Sequence, residues 1–268
     1  MLDSLAPARR RLVLGVLGLV AVALVAVTIV LAIGHREPRV RPVAQDAQPP
    51  VLLVPGYGGS TGDLAVLAAA LERSGRTVHI VSLGNHSQGD LHRQADLVER
   101  AVRAARDSTG SPSVDLVGYS AGGVVVRVWM ADHHGGDVAR RIVTLGSPHH
   151  GTDVAALAAD LGSQVCPLGC RQLATGSALL RSLNRGDETP AGPRWVSIWT
   201  RQDKTVVPAS SASLRGALDV PVQSVCPGAT VSHGTLPSDP AVVEMVLSEL
   251  GRALPSRPVP GVCTTVSP

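Results

Sequence analysis

Three side chains of the types used in nucleophilic catalysis follow one another along the chain in the order serine, aspartate, histidine. Ser120 is the middle residue of the run 118–122, which reads G-x-S-x-G. A serine hydroxyl becomes a good nucleophile only when a base takes its proton, and a histidine base needs a carboxylate to orient it. Asp203 and His233 are the candidates for these two roles. The chemistry such a set performs is acyl transfer through a covalent acyl-enzyme.

The surroundings of Ser120 fit a sharp turn between a strand and a helix. Residues 113–117 are a short run of β-type residues, and residues 121–130 are a charge-poor run that suits a buried helix. Glycine on either side leaves room for a turn that exposes the serine hydroxyl at the end of the strand. The sequence therefore predicts a nucleophile elbow flanked by Gly118 and Gly122.

Five histidines follow the serine, and their positions in the sequence separate them. His133 and His134 end the helix that starts at the serine, so they lie about a helix length from its hydroxyl. His149 and His150 precede most of the acidic candidates and would reverse the expected order of acid before base. His233 follows the last predicted strand and precedes the last predicted helix. We therefore predict His233 as the base, the alternative being an exposed loop histidine.

Asp203 is the acid that this arrangement favours. It comes shortly after the predicted strand 195–200, at the edge of the sheet that the acid has to occupy. Asp187 and Glu188 lie in a turn flanked by glycine and proline, and Asp219 precedes the next predicted strand, at its opposite end. The alternative for Asp203 is a turn-forming aspartate or an ion pair with the lysine that follows it.

The tetrahedral intermediate of acyl transfer also needs backbone N–H groups that bind its negatively charged oxygen. We predict one from Ala121, which follows the serine, and one from Tyr57, in the glycine-rich loop 56–59 after the first predicted strand. The alternative is that this loop is only a flexible turn. We expect no metal and no cofactor.

Strands and helices alternate along the part of the chain that carries these residues. The predicted strands are residues 51–54, 78–83, 113–117, 141–145, 195–200 and 220–225, and the predicted helices are residues 61–74, 90–106, 121–130 and 239–253. This alternation predicts an α/β fold with a mainly parallel sheet and helices on both faces. Residues 149–190 form a longer irregular region with a short helix near 177–183, where a cap or lid would sit.

The composition fits one globular domain behind a distinct N-terminal segment. Of the 268 residues, 44% are hydrophobic and 17% are charged. The formal net charge of +3 is small and scattered, which argues against nucleic acid as a partner. Because the chain has no phenylalanine, an apolar acyl-binding wall would consist mainly of Leu, Val, Ala and a few Trp.

The first fifty residues divide into three segments. Residues 1–11 contain three consecutive arginines and are predicted to be a cytoplasmic N-terminus. Residues 12–34 are uncharged, apolar and long enough as a helix to cross a bilayer, which predicts a transmembrane signal anchor; a cleaved signal peptide is the alternative. Residues 35–50, rich in Pro and Arg, are predicted to be a linker. The folded domain is then residues 51–268, outside the cytoplasmic membrane.

Four cysteines, all in the second half of the chain, indicate disulfide bonds. An even number beyond a membrane segment is typical of an oxidising compartment. Of the three possible pairings, we favour Cys166 with Cys170, which closes a local loop, and Cys226 with Cys263, which holds the C-terminal tail to the domain. The alternative is a zinc site, but no second pair of ligands lies near the C-x-x-x-C motif.

Several stretches between residues 51 and 250 together resemble the α/β-hydrolase lipases and esterases, in particular the bacterial class 2 triacylglycerol lipases. They are V-P-G-Y-G-G at 54–59, V-D-L-V-G-Y-S-A-G-G at 114–123, T-L-G-S-P-H-H-G-T at 144–152 and the segments around Asp203 and His233. The resemblance implies an α/β-hydrolase fold and hydrolysis of lipid or other acyl esters. It also implies that His149 is structural.

Two residues depart from the pattern of that family. Pro55 stands where a histidine usually precedes the glycine, and Tyr119 stands where histidine is commonest before the serine. Neither change removes a triad atom or an oxyanion N–H, but both touch residues expected to line the acyl site. Two alternatives remain: an acyltransferase, in which an alcohol replaces water, and a non-catalytic, membrane-tethered binding protein with the same fold.

Overall fold

The computed structural model describes residues 7–34, 40 and 43–263, and the chain forms two compact units, Met1–Val40 and Arg41–Pro268. The first unit contains helix α1 (Pro7–Gly34). Among the described residues, no helix combines the length and the apolar character that crossing a membrane requires. Within the predicted membrane span 12–34, the structure describes the side chains of residues 14–28. Residues 1–6 of the predicted cytoplasmic segment lie outside the described residues.

The second unit is built on a six-stranded parallel sheet. Its strands are β1 (Val51–Val54), β2 (Val78–Ile80), β3 (Val114–Tyr119), β4 (Ala139–Leu145), β5 (Arg194–Trp199) and β6 (Leu218–Pro221). They lie in the order β2-β1-β3-β4-β5-β6, and every neighbouring pair is parallel. Strand β3 is therefore interior, and the residue that follows it lies near the middle of the carboxyl edge.

Helices connect these strands. They are α2 (Ala65–Arg73), α3 (Leu91–Thr109), α4 (Ala121–Asp132), α5 (Asp153–Asp160), α6 (Leu168–Gln172), α7 (Ala178–Leu183), α8 (Val222–Val225) and α9 (Pro240–Glu249). Side-chain caps fix three of the starts: Asp90 accepts from the backbone N–H of the second residue of α3, Ser177 accepts from that of the third residue of α7, and Asp239 accepts from two N–H groups in the first turn of α9. Gly110, in a left-handed conformation, ends α3.

Two hydrophobic cores lie on the two faces of the sheet, as the strand and helix pattern predicts. In β1, Leu52 and Val54 belong to the core that also contains the buried residues of α3 and α4. Val51 and Leu53 belong to the other core, which contains the buried residues of α2 and α9. All four side chains are fully buried, because both faces of a parallel sheet are covered by helices.

Buried charges close the amino edge of the sheet. Asp115, at the start of β3, accepts from Arg76 at 2.6 Å and from Nε of Arg140 at 2.8 Å, and the Asp115 and Arg140 side chains are fully buried. Arg140 also donates to the backbone oxygen of Gln45 at 2.8 Å. Residues 43–50 thus pack against the domain, although the sequence predicts a linker over 35–50. Residues 35–39 and 41–42 of that linker lie outside the described residues.

Several elements differ from their predicted extent. Strand β2 ends at Ile80 and not at residue 83, and α2 begins at Ala65, after a single 3₁₀ turn, and not at residue 61. Residues 222–225 form helix α8 rather than the end of a strand, because Pro221 has no N–H for a strand ladder and V-Q-S-V is too short to show the period of either structure. Strand β6 begins at Leu218, so Asp219 lies within this strand and not before it. Helix α9 ends at Glu249, four residues before the predicted end, and region 149–190 contains α5, α6 and α7.

Two disulfides have the predicted pairing. Cys166 is bonded to Cys170, and Cys226 is bonded to Cys263. The first bond ties the loop after α5 to Cys170 within α6, and the second ties the residues after α9 to the end of α8. Among the described residues no cysteine is free.

Candidate active site

The predicted site residues meet at the carboxyl edge of the sheet. Ser120 follows β3, Asp203 follows β5, and His233 lies between α8 and α9. Because parallel strands all end at the same edge and only β4 separates β3 from β5, the loops after these strands are close in space. The placement of Ser120 and Asp203 follows from this strand order.

Ser120 joins β3 to α4 in a conformation that residues with a side chain rarely adopt. Its φ is 52° and its ψ is −125°, and its N–H donates to the backbone oxygen of Leu145 at 2.8 Å. Such a conformation costs on the order of 1–3 kcal/mol and persists only where the surroundings hold it. The turn presents the Ser120 side chain at the N-terminus of α4.

Glycines on both sides of the serine make this turn possible. A Cβ on Gly118 would lie 2.5 Å from Cα of Gly123, and a Cβ on Gly122 would overlap the backbone oxygens of Val54 and Pro55. The predicted flanking glycines are therefore required by packing, because the start of α4 presses directly against β1 and β3.

The three predicted side chains form a continuous hydrogen-bonded line. Nδ1 of His233 lies 2.7 Å from Oδ2 of Asp203, and Nε2 of His233 lies 2.9 Å from Oγ of Ser120. Asp203 and His233 are each only 8% exposed, so their contact is largely shielded from water. With the proton on Nδ1, this geometry leaves Nε2 facing the hydroxyl as an acceptor.

Backbone groups hold the carboxylate of Asp203. Its Oδ1 accepts from the N–H groups of Thr205 and Val206, both at 2.8 Å, while the other oxygen faces the histidine. Thr200 Oγ1 donates to the backbone oxygen of Val231 at 2.7 Å and joins the loop of the acid to the loop of the base. Sequence reasoning missed Thr200, because its partner is 31 residues away.

Tyr119 holds the loop of the histidine. Its hydroxyl donates to the backbone oxygen of His233 at 3.2 Å, and the two rings lie 5.4 Å apart, centroid to centroid. Burial, followed by the charges of Asp63 and Asp203, raises the pKa of Tyr119 to about 12. The hydroxyl therefore stays protonated and keeps donating across the neutral pH range.

The predicted oxyanion donors border the same cavity as Ser120. Tyr57 and Ala121 both line it. The N–H of Ala121 lies in the first turn of α4 and has no helical acceptor, and the N–H of Tyr57 has no hydrogen-bond acceptor among the described residues. Gly56 allows the close approach of the loop, because a Cβ there would lie 3.1 Å from Cβ of Ser120. Two backbone donors can thus face an oxygen beside the serine.

An apolar cavity of about 210 Å³ opens beside Ser120. Apart from Ser120 and the two predicted oxyanion residues, its lining is Pro148, Thr152, Val154, Ala155, Ala158, Cys170, Leu173, Thr205 and Val206. The cavity wall includes neither Pro55 nor Tyr119, the two residues that the sequence places at the acyl site. Helix α5 and the disulfide-closed loop form one wall, so the region predicted as a cap or lid borders the serine.

His149 is fully buried, and its ring contacts Thr144 and not Ser120. Its Nε2 lies 3.1 Å from Oγ1 of Thr144, and its backbone oxygen accepts from Asn184 at 2.9 Å. Burial, followed by the charge of Arg127, lowers the pKa of His149 well below its ordinary value. A neutral imidazole in this position packs the 144–152 segment, which agrees with the structural role that the resemblance implies.

Known proteins share this architecture. A profile of the α/β-hydrolase fold matches residues 49–164. Aspergillus fumigatus lipase B aligns with a TM-score of 0.66 at 19% identity over 80% of this chain and 55% of that chain, so our chain spans about half of that lipase. The mature Bacillus licheniformis lipase BlEst2 aligns with a TM-score of 0.61 at 20% identity over 80% of this chain and 96% of that chain.

A third solved structure, of a gene product from Listeria innocua, aligns with a TM-score of 0.57 at 15% identity and covers 80% of this chain and 98% of that one. Likeness at these identities concerns the fold. The parallel sheet, the helices on both of its faces and the profile match agree with one another. The chain therefore has the α/β-hydrolase fold.

Proposed function

We propose that the chain is a serine hydrolase of carboxylic esters, of the lipase and esterase type. The observation that carries this proposal is the line of hydrogen bonds from Asp203 through His233 to Ser120, which ends on a serine held in a strained turn. A serine that served only to pack the turn would need neither a shielded imidazole nor a carboxylate behind it.

The geometry supports a two-step reaction. Oγ of Ser120 attacks the ester carbonyl while Nε2 of His233 takes its proton, and Asp203 stabilises the imidazolium that forms. The N–H groups of Tyr57 and Ala121 bind the oxyanion. The imidazolium returns the proton to the departing alcohol, and a water molecule activated by the same imidazole releases the acid from the acyl-enzyme.

The apolar cavity beside Ser120 supports an acyl chain as the group transferred. Its wall of valine, alanine and leucine carries no charged side chain, so an alkyl chain gains free energy when it leaves water and enters. Similarity to the lipases from Aspergillus fumigatus and Bacillus licheniformis in fold supports the same class. Membership of the bacterial class 2 lipases is part of this proposal.

A fluorophosphonate probe tests the nucleophile directly. We expect labelling of the full-length chain, no labelling of Ser120→Ala, and labelling of His233→Ala slowed by more than about a hundredfold. Ser108→Ala and His134→Ala are matched controls at the ends of α3 and α4, far from the site, and should label at the wild-type rate. Equal labelling of wild type and Ser120→Ala, or none of a folded wild type, would contradict the proposal.

We also propose that the chain is held at the outer side of the cytoplasmic membrane by its N-terminal segment. The uncharged stretch 12–34 and the two disulfides support this location. Two measurements test this location. Intact spheroplasts are treated with external protease, and isolated membranes are separately washed with salt or alkali. Release of the chain by salt or alkali, or protection of its domain from the protease in intact spheroplasts, would contradict it.

A further inference from the structure

A second cleft borders the site on the histidine side. It has a volume of about 540 Å³, and its lining includes Gln202, Lys204, Thr205, Thr230, Ser232 and His233. Thr205 also lines the apolar cavity beside Ser120, so the two spaces adjoin at this residue. One space is walled mainly by aliphatic side chains, and the other by polar ones.

The proposed reaction indicates which portion of the ester lies in each space. After the attack, His233 must give its proton to the oxygen of the departing alcohol. That oxygen has to approach Nε2, so the alcohol portion of the ester lies on the histidine side while the acyl chain lies beside Tyr57 and Ala121. His233 lines the polar cleft, so this cleft is the space available to the alcohol.

Lys204 gives this cleft its charge. It is the one lysine of the chain, it is exposed, and among the described residues no carboxylate lies within salt-bridge distance of its ammonium. The turn that carries it is held by the two bonds from Thr205 and Val206 to Asp203. An unpaired ammonium in a cleft that adjoins the site favours an anionic ligand group.

We propose, on the basis of the proposed function, that the preferred esters carry an anionic group, phosphate or carboxylate, on their alcohol portion, and that Lys204 is the residue that selects them. The acyl portion occupies the apolar cavity. Lys204 does not touch the reacting atoms, so its effect falls on the choice between alcohols.

Matched substrate pairs test this selection. The first pair is 1-butyrylglycerol and 1-butyrylglycerol 3-phosphate, and the second is propyl butyrate and 3-(butyryloxy)propanoate. Acid release by the full-length chain gives kcat/KM for each. At low ionic strength we expect the anionic member to be preferred about three- to fivefold, a preference that salt reduces. Preference in only one pair identifies phosphate or carboxylate as the group recognised.

Variants assign the preference to the lysine. In Lys204→Gln the ratio of anionic to neutral kcat/KM should fall to about one, and Lys204→Arg should restore most of it. Arg201→Gln removes a nearby exposed charge that does not line the cleft, and it should leave the ratio unchanged. A ratio of one or less in wild type, or an unchanged ratio in Lys204→Gln, overturns the proposal while ester hydrolysis stands. Loss of all hydrolysis and probe labelling in wild type overturns the proposed function itself.

Discussion

Nδ1 of His233 lies 2.7 Å from Oδ2 of Asp203, although the two residues belong to different loops after β5 and α8. Through this contact the carboxylate holds the imidazole with Nε2 toward the serine. Its other oxygen is already occupied by two backbone N–H groups. An amide in place of the carboxylate would keep the packing and lose this orientation.

Asp203→Asn should therefore lower kcat by roughly 10³-fold or more with little change in KM, because the imidazole loses its acceptor and adopts the wrong tautomer. Steady-state kinetics on a soluble butyrate ester measure both constants. Asp187→Asn, at the acidic position rejected in the sequence, is the control and should behave as wild type. A kcat within tenfold of wild type would remove Asp203 from the triad.

Tyr119→Phe should lower kcat by about two- to tenfold, because one hydrogen bond to the backbone of His233 is lost while the ring contact stays. Ser111→Ala is the matched control, since it also removes one side-chain hydrogen bond to a backbone oxygen, that of Ser113, but before the amino end of β3 and away from the triad. The measurement is kcat together with the rate of probe labelling. Equal effects of the two substitutions would show that the Tyr119 hydroxyl does not position the histidine.

Gly122→Ala should destabilise the domain by about 1–3 kcal/mol, because the new Cβ overlaps backbone oxygens that cannot move freely. Thermal unfolding should show Tm lowered by about 3–10 °C. Gly228→Ala is the control, because a Cβ there meets nothing within 4 Å, and its Tm should stay within about 2 °C of wild type. Equal Tm values for the two variants would contradict the close packing of the elbow.

Ala158→Leu should shorten the preferred acyl chain, because it fills part of the cavity beside Ser120. We expect kcat/KM for an octanoate ester to fall about tenfold relative to that for an acetate ester. Ala159→Leu is the matched control, since this neighbouring residue of α5 is also partly buried and does not line the cavity. An unchanged octanoate-to-acetate ratio in Ala158→Leu would place the acyl chain elsewhere.

Glu249→Gln should change how stability depends on pH. Glu249 is 1% exposed, and burial raises its pKa from 4.5 to about 7, although a backbone bond from Ser256 and the charge of Arg141 oppose the shift. The folded chain therefore binds this proton more tightly than the unfolded chain does. The contribution of protonated Glu249 to the free energy of unfolding is fully present below about pH 4.5 and is lost as the pH rises through about 7.

Urea unfolding at several pH values measures this effect. Glu249→Gln should have a free energy of unfolding close to that of wild type near pH 4.5, and one higher by on the order of 3 kcal/mol at about pH 8. Glu244→Gln, exposed on the same helix, should follow the wild-type curve. A constant difference between Glu249→Gln and wild type at all pH values would mean that Glu249 does not titrate in this range.

The positions of two of the three proposed catalytic residues could be predicted because Ser120 and Asp203 each follow a local pattern that marks the end of a strand, whereas His233 follows α8. Ser120 comes directly after β3, Asp203 comes four residues after the end of β5, and parallel strands bring such ends together. The contact of Tyr119 with His233 could not be predicted, because 114 positions separate them and neither has a local signal for the other. The strand predicted over 222–225 is wrong for another reason: only Val222 and Val225 are apolar, and four residues are too few to show the period of a strand or of a helix.

The bonds between Gln45 and Arg140 place the segment 43–50 at the amino edge of the sheet, whereas Ser120 lies at the carboxyl edge. The two edges face opposite ways. A bead, dye or carrier protein joined through this segment would sit behind the domain and leave the substrate's approach open. Immobilised preparations attached there should keep their access to bulky esters, whereas coupling through Lys204, the one lysine, would obstruct it.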